Sequence, residues 1–166
     1  MGNQKESKAL RIRLANERDT CELVSLENEC FDTYYRQHRF SKTHFTYYIQ
    51  NDQVIFLVAI LNSSIIGYVA GSIRVSRFQP SAHLDSIAVS PLHQRRGIGS
   101  QLMQRYIEEA KQQDCTSVIL EVAVVNKNGV LFFAHEGFEK VRMLRGYYGE
   151  GLDGILMKLD LSSAKQ

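Results

Sequence analysis

The chain has 166 residues, 44% of them hydrophobic, and a formal net charge of +2. This fits one soluble domain with an ordinary core, and so small a charge gives no reason to expect a nucleic-acid partner. The three cysteines are scattered, which argues against a disulfide framework or a zinc site and favours a reducing compartment. No apolar run approaches the roughly 20 residues that span a bilayer, so we expect a cytoplasmic protein.

The first half of the sequence predicts three strands and two helices. Period-two alternation or an unbroken apolar run indicates a strand, and apolar residues at spacings of three and four indicate a helix. In chain order the predictions are a strand at Leu10–Leu14, a helix from a cap at Asn16 to about Phe31, a helix at Ser41–Gln50, and strands at Val54–Leu61 and Ile65–Val75. Because Val54–Leu61 is almost wholly apolar, we expect both faces of that strand to be covered. Gly67 and Gly71 in the next strand are expected to mark bulges or close approaches.

A strand, a tight loop and a helix follow in the middle of the chain. Leu84–Val89 is apolar enough for a strand, Pro91 ends it, and the apolar residues after Gly99 have helical spacing. The loop reads Gln94-Arg95-Arg96-Gly97-Ile98-Gly99. Two glycines at the start of a helix leave N–H groups unpaired and open to close approach, and together with the helix dipole they form a site for a phosphate or pyrophosphate. Arg95 and Arg96 add positive charge beside it.

Three kinds of phosphate site have loops of this type. A P-loop needs a Gly-Lys-Ser/Thr ending, which is missing, and a dinucleotide fingerprint needs a third glycine in an early βαβ unit. The third kind is the Gln/Arg-x-x-Gly-x-Gly/Ala signature of the GCN5-related N-acetyltransferases, which Gln94–Gly99 matches in full. A glycine loop that merely turns the chain is the remaining alternative.

The rest of the chain predicts a strand, a short helix and a final hairpin. These are a strand at Val118–Val125, a helix at Asn128–Glu136 ended by Gly137, and a hairpin of Phe138–Tyr148 with Gly154–Leu161. The element order is β-α-α-β-β-β-α-β-α-β-β, an α+β (mixed α/β) arrangement with a mostly antiparallel sheet and one parallel crossover. We expect one domain over residues 9–161, with flexible tails at residues 1–8 and 162–166.

Roughly residues 83–160 resemble the GCN5-related N-acetyltransferase (GNAT) family. Besides the glycine loop, Leu120-Glu121-Val122 with Asn126 and Gly137-Phe138 looks like that family's L-E-V-x-x-x-N…G-F segment. The segments Arg145–Tyr148 and Asp153–Met157 are similar to the branch of ribosomal-protein alanine acetyltransferases and catalytic subunits of N-terminal acetyltransferases. The resemblance implies a sheet of six to seven strands with one splayed parallel pair and about four helices.

The resemblance also implies acetyl-CoA as the acetyl donor. In the family the pyrophosphate lies on the loop amides, the pantetheine arm pairs with the preceding strand, and the acetyl group lies where the parallel strands separate. The implied cofactor-binding residues here are Ile87, Ala88, Val89, Gln94, Arg95, Arg96, Gly97, Ile98, Gly99, Ser100, Asn126 and Phe133. Asn126 is equally able to cap the next helix. Phe133 stands where the family usually has a tyrosine that protonates the leaving thiolate, so Tyr147, Tyr148 or water is left for that role.

Glu121 is the first candidate for a catalytic base. It lies in the otherwise apolar run Val118–Val125, where a carboxylate needs a partner, water or a function, and burial is expected to raise its pKa toward that of a working base. A salt bridge to a nearby lysine or arginine is the alternative. His83 is the second candidate and Asp85 a similar one, although each also fits an ordinary surface residue. Tyr148 is the third candidate, as the acid.

Tyr34, Tyr35, Tyr147 and Tyr148 are the predicted substrate-binding residues. The resemblance places the Tyr147-Tyr148 pair at the entry for a peptide N-terminus, whereas Tyr34 and Tyr35 lie in an aromatic, polar link that forms a wall of the substrate groove or simply packs on the core. The leading hypothesis is acetyl transfer to a protein or peptide α-amine, of which roughly a tenth is neutral at pH 7. The alternatives are a small amine, such as a polyamine, amino acid or aminoglycoside, and a non-catalytic acyl-CoA-binding module, in a monomer or homodimer.

Overall fold

A computed structural model describes residues 9–31, 35 and 38–162. In this part of the chain the strands are β1 Arg11–Leu14, β2 Val54–Leu61, β3 Ser64–Arg74, β4 Ser81–Val89, β5 Ser117–Ala123, β6 Glu139–Leu144 and β7 Gly154–Asp160. The helices are α1 Thr20–Cys30, α2 Lys42–Ile49, α3 Ile98–Gln112 and α4 Lys127–His135. The predicted order of elements is confirmed. The expected tails lie outside the described residues except for Ser162, and so does Tyr34.

The strands form one sheet in the order β1-β2-β3-β4-β5-β7-β6. Every neighbouring pair is antiparallel except β4 and β5, which are parallel and pair only at Ala82–Val118 and His83–Ile119. Beyond these two pairs both strands continue, β4 to Val89 and β5 to Ala123, without a ladder between them. The predicted sheet, with one splayed parallel pair, is therefore confirmed.

Strand β2 shows how the sheet separates two cores. Its residues Ile55, Leu57 and Ala59 belong to the cluster that contains the apolar face of α3, whereas Phe56, Val58 and Ile60 belong to the cluster that contains α1 and α2. The period-two geometry of a strand sends alternate side chains to opposite faces, so an unbroken apolar run is what two covered faces require. The prediction that both faces of this strand are covered is confirmed.

The helix ends follow local capping rules. The Asn16 side chain accepts a hydrogen bond from Arg18 N at 3.0 Å, and the Asp19 carboxylate accepts one from Asn16 N at 2.8 Å, so the predicted cap is present and opens a 3-10 turn before α1. Gly137, at φ +92°, ends α4 as predicted. None of the helices in the described residues has the length and apolar character needed to cross a membrane.

A β-bulge at Asp85 shapes the strand that precedes the glycine loop. Ala70 lies opposite Ser86 and Gly71 lies opposite Leu84, so Asp85 is an extra residue with no partner in β3. Gly71 is required here, because a Cβ on it would collide with the carbonyl oxygen of His83. Before the bulge Leu84 faces the α3 core, and after it Ser86 contacts Tyr68 on the opposite side. Leu84 and Ser86 are two residues apart and would face the same side of a regular strand, so the bulge reverses the alternation of side chains beyond it.

Candidate active site

A cavity of about 130 Å³ lies where β4 and β5 separate. Its walls come from both diverging strands, from α1 and the loop that follows it, from α4, and from the loop between β6 and β7. The lining residues are Leu84, Asp85, Ser86 and Ile87 of β4, Leu120, Glu121 and Val122 of β5, Glu27, Phe31, Tyr35, His38, Arg39 and Phe40, and Asn126, Phe133 and Tyr148. Seven residues predicted from the sequence meet here: Tyr35, Asp85, Ile87, Glu121, Asn126, Phe133 and Tyr148.

Glu121, which lines the cavity, forms an ion pair with His83 of β4. The Nε2 atom of His83 lies 2.7 Å from Oε2 of Glu121, and its Nδ1 atom lies 2.5 Å from Oδ1 of Asp85. The pairing follows from the sheet register, because His83 lies opposite Ile119 and Glu121 is two residues further along the same face of β5. His83 is only 6% exposed, so the reading of it as a surface residue is wrong.

The two groups shift each other's pKa in opposite directions. Burial disfavours the charged form of His83, but the hydrogen bonds and charges of Asp85 and Glu121 outweigh burial and raise the pKa of His83 to about 9. Burial likewise favours neutral Glu121, yet its hydrogen bond with His83 holds the pKa of Glu121 below the usual value. The expected rise in the Glu121 pKa is therefore wrong. The carboxylate does have an ion-pair partner, a histidine from the neighbouring strand.

The glycine loop presents backbone donors at the end of β4. Gly97 has φ +77°, a left-handed conformation that favours glycine, and the first helical hydrogen bond of α3 runs from Gln101 N to the Gly97 carbonyl at 3.1 Å. The N–H groups at positions 98–100 consequently have no partner within the helix. The Gln94 side chain donates to the Val89 carbonyl at 2.9 Å, which ties the loop to the strand. A Cβ on Gly99 would lie 3.3 Å from the Phe132 ring, so a larger side chain at position 99 is poorly accommodated.

These features fit the elongated, anionic acetyl-CoA that the sequence implies. Beyond His83 the β4 edge has no ladder with β5, the loop offers N–H donors, and Arg95 and Arg96 are exposed beside them. The Ser100 hydroxyl is directed elsewhere, because it donates to Glu136 at 2.5 Å, so only its N–H is left for an anion. Among residues 9–31, 35 and 38–162, no three His, Cys, Asp or Glu side chains are arranged to hold a metal ion.

Asn126 has a structural role at the far side of the cavity. Its side-chain oxygen accepts a hydrogen bond from Gly129 N at 2.9 Å, which is the predicted helix cap, and its amide nitrogen donates to the Tyr35 hydroxyl at 3.2 Å. The same hydroxyl accepts a hydrogen bond from Ala123 N at 3.0 Å. Tyr35 therefore fastens the loop after α1 to the splayed end of β5. A Cβ on Gly129 would come within 2.5 Å of the Asn126 amide nitrogen, so this cap depends on glycine.

The three aromatic residues predicted near the acetyl group differ in burial. Phe133 is buried at the cavity and has no hydroxyl. Tyr148 is half-buried, with its ring centroid 5.2 Å from that of Tyr35 and 5.5 Å from that of His38. Burial raises the pKa of the Tyr148 hydroxyl, which therefore keeps its proton. Tyr147 is 48% exposed and does not line the cavity.

Sequence reasoning missed two groups at this site. Glu27 is 2% exposed, lines the cavity, and accepts hydrogen bonds from Phe40 N at 2.8 Å and from the Tyr68 hydroxyl. Its position, four residues after Leu23 on the apolar face of α1, is the signal that marks it as buried. The second group is Tyr48 of α2, whose hydroxyl donates to Asp85 at 3.0 Å. No local pattern in the sequence indicates that contact.

Comparisons with known proteins agree with this geometry. The model of a family described as acetyltransferase (GNAT) matches residues 20–138. An N-alpha-acetyltransferase of Sulfurisphaera tokodaii is 27% identical over 166 residues, covering 95% of this chain and 96% of the relative. The solved structure of Arabidopsis thaliana NAA60 with acetyl-CoA has a TM-score of 0.82 at 18% identity, over 93% of this chain and 100% of that one. The ribosomal-protein-S18-alanine N-acetyltransferase of Escherichia coli has a TM-score of 0.77 at 22% identity, over 95% and 97%. The two structural likenesses establish a shared fold.

Proposed function

Because the chain belongs to the acetyltransferase (GNAT) family and is an N-acetyltransferase that uses acetyl-CoA, we propose that its acceptor is the α-amine of a protein or peptide. The observation that carries this proposal is the ion pair of His83 with Glu121, since Glu121 lines a cavity together with Tyr35 and Tyr148. An acidic, partly aromatic cavity suits an amine attached to a chain. The activity named for the Sulfurisphaera tokodaii relative, which matches along nearly the whole chain, supports the same acceptor.

Acetyl-CoA supplies the acetyl group as an activated thioester. We assign its pantetheine arm to the β4 edge at Ile87–Val89, and its pyrophosphate to the N–H groups at positions 98–100. Main-chain pairing at a strand edge gives affinity without demanding particular side chains. Positive charge from Arg95 and Arg96 favours the phosphates further. The protein contributes chiefly by holding the thioester and the amine in alignment, which lowers the entropic cost of their reaction.

The acceptor amine must lose a proton, and Glu121 and His83 are placed to take it. An α-amine has a pKa near 7.7–8.0, so most of it is protonated at pH 7. At neutral pH the Glu121 carboxylate is the available acceptor, because His83, with a pKa of about 9, is still charged. As the pH rises through about 9, His83 becomes neutral and is the stronger acceptor. We therefore expect turnover to increase with pH across this range.

Tyr148 is our proposed proton donor on the leaving-group side. It lines the cavity, and burial keeps its hydroxyl protonated, whereas Phe133 at the family's usual position has no proton to give. A thiolate with a pKa of about 8.5 leaves without prompt protonation, so we expect Tyr148→Phe to slow turnover while leaving measurable activity. Phe133→Tyr is the matched variant, and it should restore part of the rate to the Tyr148→Phe protein.

Release of free CoA over an acceptor panel tests the proposed function, with mass spectrometry locating the acetyl group. The panel contains peptides with free and with blocked N-termini, lysine peptides, spermidine and an aminoglycoside. Release only with free N-termini supports an α-amine acceptor, and release only with small amines supports the small-amine alternative. Binding of acetyl-CoA without release would favour a binding module. Glu108→Gln, on the exposed side of α3 beside Arg105, is the control for Glu121→Gln.

A further inference from the structure

Asp85, the extra residue of the β4 bulge, joins His83 to α2. One carboxylate oxygen lies 2.5 Å from His83 Nδ1, and the other accepts a hydrogen bond from the Tyr48 hydroxyl at 3.0 Å. The Asp85 side chain is 16% exposed. Residues 85 and 86 are consecutive, yet both contact groups on the α1 and α2 side of the sheet, because the bulge interrupts the normal alternation. The insertion is what brings a second carboxylate to the histidine.

His83 consequently has a carboxylate at each ring nitrogen. While the ring is charged, both nitrogens donate, Nδ1 to Asp85 and Nε2 to Glu121. When the ring loses one proton, the other stays on one of the two nitrogens, and the free lone pair is on the opposite side. A proton kept on Nδ1 leaves the lone pair of Nε2 directed at Glu121, which lines the cavity. A proton kept on Nε2 would leave the lone pair of Nδ1 directed at Asp85 and none directed at Glu121.

We propose that Asp85 is a positioning residue that keeps the last proton of His83 on Nδ1, so that Nε2 is the nitrogen that exchanges protons beside Glu121. This rests on the proposed acetyl transfer, in which the protonated acceptor amine loses two protons. The first passes to the pair formed by Glu121 and His83 Nε2, which leaves the amine neutral and raises the charge of the pair by one. The second leaves the nitrogen as the C–N bond forms and the C–S bond breaks, and it balances the proton that the thiolate takes up. Tyr48 donates to the other oxygen of Asp85, so the oxygen that accepts from Nδ1 does not depend on that hydroxyl.

Asp85 and Glu121 are the two acidic residues in contact with the His83 ring. The other titratable and charged groups nearby act on these two carboxylates or on the His83 backbone. They are Arg74 of β3, Tyr48 of α2, Tyr147 of the loop between β6 and β7, and Tyr106 of α3, whose hydroxyl donates to the His83 carbonyl. Burial, aided by the nearby carboxylates, raises the pKa of all three tyrosines, so they remain neutral while the histidine titrates. An aspartate charge at this distance is expected to raise a histidine pKa by about 1–3 units.

Asp85→Asn is the test, with Tyr48→Phe as the matched control. The asparagine keeps the shape but removes the charge, so the rising limb of kcat/KM against pH should move to lower pH by about 1–3 units, and the plateau rate should fall. Tyr48→Phe leaves the Asp85–His83 contact in place, so its limb should stay close to that of the wild type. The same peptide is used throughout, so titration of the amine is common to all three proteins. An equal shift in both variants would assign the effect to the packing of α2 and overturn the proposal.

Nitrogen NMR of His83 in the substrate-free protein gives a readout that does not depend on activity. The resonances are assigned by their loss in His83→Gln. In the wild type above pH 9 the neutral ring should carry its proton on Nδ1, and in Asp85→Asn it should titrate at lower pH with the proton on Nε2. A wild-type ring protonated on Nε2, or an unmoved titration in the variant, would overturn the proposal. If the variant does not fold, the wild-type spectrum alone shows which ring nitrogen keeps the proton. That spectrum tests the proposal even if no acetyl transfer is found.

Discussion

Replacing His83 by glutamine should change how the stability of the protein depends on pH. The pKa of His83 is about 9 in the folded chain against 6.5 for an unperturbed histidine, so between these values the folded state binds one more proton than the unfolded state. The free energy of unfolding must then fall as the pH rises. The stabilisation is complete below pH 6.5 and is lost as the pH passes through about 9. Since one pKa unit corresponds to about 1.4 kcal/mol, the wild type should lose about 3 kcal/mol across this window.

Urea denaturation followed by circular dichroism measures this loss. Curves are recorded for the wild type and for His83→Gln at half-unit steps from pH 6 to pH 9, at constant ionic strength. Both proteins contain the same cysteines and tyrosines, so subtracting the two free-energy curves removes those titrations and isolates His83. The difference should be largest near pH 6 and should shrink steadily toward pH 9.

Parallel curves would refute this reasoning. A constant offset between the two proteins would mean that the histidine contributes by packing alone and that its ring does not hold an extra proton in the folded state. A difference that grows with pH would reverse the sign of the interaction, because it would require His83 to be neutral in the fold. Either result would also remove the reason for expecting turnover to rise toward pH 9.

Three further predictions concern the cofactor loop, the base and the α4 cap. Gly99→Val should abolish acetyl-CoA binding because its side chain meets the Phe132 ring and covers the loop donors, and calorimetry showing normal affinity would remove the loop from the site. Glu121→Gln should lower turnover at least about tenfold with nearly unchanged acetyl-CoA affinity, and equal rates would exclude Glu121 from proton transfer. Asn126→Ala should lower the free energy of unfolding by about 1 kcal/mol in urea, whereas Asn128→Ala, which removes no cap, should not; matched losses would contradict the assigned cap.

Most of the fold could be predicted because its signals are local. The apolar run Val54–Leu61 is β2 to the residue, since only a strand between two covered faces tolerates eight apolar residues in succession. Gly137 and Asn16 mark helix ends through hydrogen bonds to residues within one turn of the chain. The cofactor loop is equally local, because its glycines, arginines and helix start lie within one short segment.

The electrostatics of the site could not be predicted, because they depend on contacts between distant segments. Glu121 was expected to gain a raised pKa from burial, and its pKa is lowered because His83 lies on the adjacent strand. Nothing in an apolar stretch around Glu121 indicates which strand is its neighbour or in what register. The Tyr48–Asp85 contact has the same origin, since it joins α2 to a bulge that shows itself only in the pairing of β3 with β4.

That bulge divides β4 into two half-strands of opposite phase. Ala82 and Leu84 face the α3 core before it, and Ile87 and Val89 pack against the same core after it, although an unbroken pleat would send the two pairs to opposite faces. The fold therefore tolerates a different side chain at position 85 but not the deletion of that residue. A substitution there alters one side chain. Deleting the residue would instead send the side chains of either residues 82–84 or residues 86–89 to the opposite face of the sheet. The bulge accordingly fixes the length of this segment, whereas the contact with His83 is what constrains its residue type.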